Sequence, residues 1–123
     1  MQDFRTLKVW SKAHGVTLAA YRATQAFPRV EQYGLTAQIR RSASSVCANI
    51  AEGCGRGGRV EFARFLRIAF GSASELEYHL ILASDLHLLD QPTSDPLLRR
   101  VIEVKRMLAG LIRKLTRATS TDN

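Results

Sequence analysis

The sequence predicts an all-α chain folded as an antiparallel up-down-up-down four-helix bundle, and three observations predict it. Apolar residues recur at steps of three and four along four separate segments. Between the segments lie short stretches marked by Pro28, by glycines at 53, 55, 57 and 58, and by Pro92 and Pro96. A length of 123 residues suits one domain with a modest core, placed here over residues 1–118.

The first segment, Phe4 to Phe27, repeats Leu7, Trp10, Ala13, Thr17, Ala20, Thr24 and Phe27 on one helical face. Asp3 or Thr6 caps its start. Pro28 ends it, because the residue before a proline is pushed out of the helical region. His14, one place beyond Ala13, reads as a packed core residue rather than a ligand. Arg29 to Tyr33 make a short connection.

The second helix, Leu35 to Gly53, has three faces. At 100° per residue, Leu35, Ile39, Ala43, Val46 and Ile50 fall in an apolar arc of roughly 80°. Gln38, Arg41, Ser45, Asn49 and Glu52 form a polar arc of similar width, and Ser44, Cys47, Ala48 and Ala51 a small-residue face. The expectation is a helix packed on more than one side, with Arg41, Asn49 and Glu52 in a buried or interfacial network and Glu52 pairing Arg41. The four glycines then make a flexible turn around Arg56. This is no P-loop, since neither Lys-Ser nor Lys-Thr follows and no strand precedes.

The third helix runs from Val60 to Leu89, with Phe62, Phe65 or Leu66, Ala69, Ala73, Leu76, Leu80, Ala83 and Leu86 as its seam. Gly71, Ser72 and Ala73 offer a small-residue patch for a neighbouring helix. After a loop from Gln91 to Pro96, capped by Ser94 or Asp95, the fourth helix spans Leu97 to Ala118. Its seam of Leu97, Val101, Val104, Leu108, Leu111 and Leu115 alternates steps of four and three, the spacing of coiled-coil packing. A second stripe of Leu98, Ile102, Ala109 and Ile112 leaves two readings open, a wide core face or burial against another subunit. Residues 119–123 read as a disordered tail.

The strings GLTAQIRRSASSVCANIAEG and EFARFLRIAFGSASELEYHL carry a resemblance. They are similar to the signature of the bacterial four helix bundle protein family, which includes proteins encoded by intervening sequences in large-subunit ribosomal RNA genes. Distant relatives are the accessory variability determinants of diversity-generating retroelements. The likeness spans about Phe4 to Leu89 and is densest at Gln38, Arg41, Asn49, Glu52, Gly53, Phe62, Gly71, Ser72 and Glu75. A proline that the family carries near Cys47 or Ala48 is missing, which should leave the second helix straighter. The resemblance implies a homo-oligomeric ring, a pentamer, with RNA, DNA or a reverse-transcriptase-like protein as partner.

Charge is unevenly spread. The net +7 divides into +3 over residues 1–33, +4 over 34–71, −5 over 72–96, +6 over 97–117 and −1 in the tail. Arginine supplies 14 of the 18 cations, and its planar fork suits phosphate. In the third helix the arginines precede the acids, against the preference of the helix dipole, so stability does not explain them. The candidate nucleic-acid contacts are Arg56, Arg59, Arg64 and Arg67, with Arg99, Arg100, Arg106 and Arg113 on the fourth helix.

Enzymatic function is not expected. Glu75 and His79 lack the spacing and the counterpart of a di-metal bundle, no arginine precedes a histidine at ribonuclease spacing, and no Ser-His-Asp set or metal-ligand cluster occurs. No cofactor or metal is expected. Cys47 and Cys54, about 10 Å apart on one helix, are too distant for a disulfide. Free thiols, no signal-peptide core and no bilayer-spanning run lead to the expectation of a cytoplasmic protein without membrane contact. Two functions follow as expectations: a non-catalytic RNA-binding oligomer, or a scaffold recognising only protein. Most of the nine aromatic residues fall on core seams and leave few to stack on bases, which leans toward the scaffold.

Overall fold

In the computed structural model of the chain, the backbone of residues 3–121 and the side chains of residues 3–117 are described. Four helices follow one another: α1 Lys8–Thr24, α2 Leu35–Arg56, α3 Arg59–Asp85 and α4 Gln91–Thr121. Each packs on its neighbours in sequence, and α1 closes the bundle against α4. The diagonal pairs α1–α3 and α2–α4 do not meet among the described residues.

The first helix starts later than its periodicity implies. Asp3 caps a separate 3-10 turn, Phe4–Thr6, by accepting from the Arg5 amide over 3.0 Å. Leu7 is extended, and this break lets Phe4 fold back edge-on to Trp10 at 5.1 Å between ring centroids. His14 is exposed rather than packed in the core, stacked on Trp10 at 4.9 Å. At the far end Phe27 turns inward after the helix and is buried.

The second helix is unbroken for 22 residues and includes Gly53 and Gly55. The turn is therefore only Gly57 and Gly58, with Gly57 at φ 88° closing the helix in left-handed conformation. The third helix ends at Asp85, not Leu89. His87 takes the left-handed position at φ 61°, while the Leu88 amide reaches the Ala83 carbonyl at 2.9 Å and that of His87 reaches Ser84 at 3.0 Å, a Schellman closure without glycine. Leu86 is thereby exposed, and Leu89 is buried in its place.

The fourth helix begins six residues before its expected start. Its cap is Asp90, whose carboxylate accepts from the Thr93 amide at 3.0 Å, and Ser94 is buried rather than capping. Pro92 sits in the first turn, where a missing N–H is harmless. Pro96 lies within the helix and removes one bond to the Pro92 carbonyl. Both prolines are exposed, so that carbonyl stays open to solvent. Of the tail expected to be disordered, the backbone of 119–121 continues α4, while 122–123 and the side chains of 119–121 lie outside the described residues.

Ile39, Ile50, Leu66, Leu76, Leu80, Val101 and Leu108 are fully buried, interleaved with Ala20, Ala69 and Ala83. The α4 seam is buried through Leu108 and half-buried at Leu111 and Leu115. Thr17 ties α1 to α2, its hydroxyl within 3.0 Å of the Ala13 carbonyl and 3.1 Å of the Ala43 carbonyl.

Candidate nucleic-acid interface

Alternating helix direction brings the start of α1, the end of α2, the start of α3 and the last third of α4 to one end of the bundle. An open, mostly apolar pocket of about 390 Å³ between them is lined by Leu7, Gly53, Cys54, Phe62 and Leu111, with Arg59 at its rim. Five of the eight candidate arginines gather at this end: Arg56, Arg59, Arg64 and Arg67 around the α2–α3 turn, and Arg113 on α4. Arg67 donates to the Thr116 hydroxyl over 3.2 Å, which bridges α3 to α4. Arg5, Lys8, Lys114 and Arg117 belong to the same end, against the acids Asp3, Glu52 and Glu61.

Two of these arginines are held in place from below. Arg56 and Arg64 stand 5.2 and 4.5 Å from the ring of Phe65, which is itself buried. Arg56 also pairs with Glu52 at 3.0 Å and Arg64 with Glu61 at 2.9 Å. The Arg64 hydrogen bond holds the Glu61 carboxyl below its usual range and pushes the guanidinium up. About half of each arginine side chain stays exposed, so the heads are positioned but accessible.

The other three arginines diverge. Arg99 and Arg106 share the outward face of α4 with Arg113 at steps of seven, about 10 Å apart, a stripe leading to the basic end. Arg100 leans across Gly15 of α1, where an added Cβ would stand 2.7 Å from its Nη2. It is set apart from the stripe.

The polar face of α2 is divided, not joined. Ser45 and Asn49 are half-buried: the Ser45 hydroxyl meets that of Ser72 at 2.9 Å, and the Asn49 amide donates to the Ser45 carbonyl at 2.8 Å. Gln38, Arg41 and Glu52 are exposed. Arg41 reaches Glu75 of α3 at 3.9 Å and Glu52 turns to Arg56. The expected link between Arg41 and Glu52 is absent within the chain, because their eleven-residue separation is about three helical turns. Of the small-residue patch on α3, Ser72 meets Ser45 of α2 and Ala73 is buried in the core, whereas Gly71 is exposed with open space around it.

Burial pushes up the Cys47 thiol, and it does the same to Cys54, which keeps both protonated. Among the described residues no three His, Cys, Asp or Glu side chains gather to hold a metal ion, and no helix is long and apolar enough to cross a membrane. Sequence reasoning missed the Phe65 platform and the contribution of Arg5, Lys8, Lys114 and Arg117. The signal for the four cations was present: antiparallel order places the basic start of the first helical segment beside the basic end of α4, next to the basic α3 start.

The family model described as 23S rRNA-intervening sequence protein matches residues 5–110. A crystal structure of a protein of unknown function from the S23 ribosomal protein family of Bacteroides thetaiotaomicron superposes with a TM-score of 0.76. It is 24% identical, and the match covers 85% of this chain and 97% of that one. At that identity the likeness is one of fold. No curated protein matches the chain.

Proposed function

Because the chain belongs to the 23S rRNA-intervening sequence protein family, we propose that it is a non-catalytic homo-oligomer, a pentameric ring, that binds RNA through its arginine-rich end. The observation that carries this reading is the gathering of Arg56, Arg59, Arg64, Arg67 and Arg113 from three helices at one end of the bundle, where the acids among the described residues are Asp3, Glu52 and Glu61. The heads are exposed and two rest on Phe65. Such a surface recognises phosphate spacing rather than base identity. The exposed tyrosines Tyr21, Tyr33 and Tyr78 all lie away from this end, so base stacking contributes little and duplex RNA should bind about as well as single strands.

Fluorescence anisotropy with labelled single-stranded and duplex RNA tests the reading. About six phosphate contacts would lower affinity roughly a thousandfold between 50 and 200 mM salt. No binding to either RNA at 50 mM salt overturns it.

A protein scaffold is the second reading, favoured by the opposite end of the bundle. There Val30 and Tyr33 are 85% and 90% exposed in the α1–α2 connection, and Leu86 is exposed at the close of α3. Apolar groups so placed suit a protein partner, and the family resemblance names a reverse-transcriptase-like one.

A further inference from the structure

An open cleft of about 390 Å³ lies along the outer side of α4 at the basic end, lined by Ile112, Arg113, Thr116 and Arg117. We propose that this cleft, with Arg67 of α3 beside it, takes the terminal phosphate monoester of an RNA strand. The inference rests on the RNA-binding function proposed above and names the group that the basic end prefers.

Thr116 organises the polar side of the cleft. Its hydroxyl donates to the Ile112 carbonyl at 2.8 Å and accepts from Nη2 of Arg67 at 3.2 Å. The one hydroxyl proton is thereby committed, so Thr116 acts through the arginine it holds and is a positioning residue. The Arg67 guanidinium has five N–H donors and gives one to Thr116, which leaves four for a ligand. At 100° per residue, Arg113 stands about 60° around α4 from Thr116 and Arg117 about 100°. Helical side chains lean toward the N-terminus, so Arg117 leans back over the turn that carries Arg113. The head of Arg113 rests over Gly110, where an added Cβ would stand 3.9 Å from its Nη2.

The local charge calls for an anion. Neither Arg67 nor Arg113 has an acid partner among the described residues. The acids of this end are already engaged, Asp3 with Arg5, Glu52 with Arg56 and Glu61 with Arg64. Arg113 and Arg117 are like charges one helical turn apart, which repel, and an anion between them removes that repulsion.

The kind of anion follows from charge and oxygen count. A phosphodiester inside a strand carries one charge and two unesterified oxygens. A terminal monoester carries nearly two charges near neutral pH and three such oxygens. Set among several guanidinium forks, the monoester gains more from each of them. Arg56, Arg59, Arg64 and Lys114 remain for the diesters that follow it, so a strand is held better than a free nucleotide of the same chemistry.

Anisotropy at about 50 mM salt tests this with three internally labelled RNAs of one sequence, ending in a 5′-phosphate, in a 3′-phosphate, or in hydroxyls at both ends. A terminal phosphate should tighten binding about tenfold or more over the hydroxyl form. Thr116→Val and Arg67→Gln should each bring the three RNAs to equal affinity, and Thr116→Ser should keep the preference. A purely structural contact would weaken all three alike. Adenosine monophosphate should displace the phosphorylated RNA only at about a hundredfold excess or more. Failure of all three RNAs to bind overturns the RNA-binding reading itself. Binding of all three with equal affinity overturns this inference alone. A preference that survives both Thr116→Val and Arg67→Gln overturns the placement in this cleft, and displacement by equimolar monophosphate overturns the strand as ligand. Should either variant fail to fold, Arg113→Gln is read in the same way.

Discussion

A Cβ added at Gly53 would stand 2.9 Å from the Cβ of Phe65, so the end of α2 meets the start of α3 as closely as a bare backbone permits. The same Cβ would lie 3.0 Å from Cδ1 of Phe62. Gly55, two residues along the same helix, faces open space. Alanine at these two positions should therefore act with opposite sign. Gly55→Ala gains helix propensity without a clash and should stabilise by about 0.5–1 kcal/mol. Gly53→Ala gains the same propensity but must push two phenylalanines aside, so it should destabilise by about 1–2 kcal/mol net. Urea unfolding of both variants checks this, and stabilisation by both would show that the packing of Phe62 and Phe65 on Gly53 yields easily.

The polar face of α2 leads to a second contrast. Glu52 pairs with Arg56 one turn on, both about half exposed, whereas Thr17 is buried between α1 and α2. An exposed pair of this spacing contributes a few tenths of a kcal/mol, so Glu52→Ala should change the stability of the isolated bundle by less than about 0.5 kcal/mol. Thr17→Val keeps the volume and removes the interhelical hydrogen bond. It should cost about 1 kcal/mol, since the Ala13 and Ala43 carbonyls keep their helical partners. A Glu52→Ala loss larger than that of Thr17→Val in denaturant unfolding would return Glu52 to a buried network.

The apolar seams were legible because burial follows periodicity: Ile39, Leu66, Leu80 and Leu108 all lie where steps of three and four place them. The helix ends were not. Pro96 reads as a breaker, yet one lost bond at an exposed turn is outweighed by Asp90 capping the helix six residues earlier. His87 in left-handed conformation carries no sequence signal, because glycine is the usual marker of that position. Of the site, the individual arginines were visible but not their company. Arg67 and Thr116 are 49 residues apart, and only the closure of α4 on α3 makes them neighbours. The Arg41–Glu52 pairing failed for a related reason: a shared face says nothing about distance along it.

Stability should fall on both sides of neutral pH. The Arg5 amide holds the Asp3 carboxyl below its usual range, Arg64 does so for Glu61, and Thr93 for Asp90. These depressed carboxylates stabilise above the ordinary carboxylate range, and that contribution is lost as pH falls through their folded values. Burial raises the Cys47 and Cys54 thiols, so their contribution is whole below the ordinary thiol range and is lost as pH rises through the folded values. The urea midpoint should be flat between about pH 5 and 8 and decline beyond both limits. Asp90→Asn keeps a capping residue but removes one titrating group. It should hold the midpoint near pH 7 and lessen the acid decline, and an unchanged acid limb would show that Asp90 plays no part in it.

Charge reversal separates the basic end from the α4 stripe as the seat of RNA binding. Arg67 and Arg113 come from different helices and meet at the end, whereas Arg99 and Arg106 belong to the stripe alone. If the end is the contact surface, Arg67→Glu/Arg113→Glu removes two phosphate contacts and should reduce the slope of log affinity against log salt by about 1.8. The loss should be the same for RNAs of different sequence, because backbone contacts carry no base information. Arg99→Glu/Arg106→Glu should weaken binding less, through long-range field alone, with a smaller change in slope. The comparison is made by anisotropy from 50 to 200 mM salt on variants of matched helical content and oligomeric mass. Equal losses from the two pairs would extend the surface along α4. A greater loss from Arg99 and Arg106 would move it there, where three arginines about 10 Å apart along one helix would then define the path of the strand.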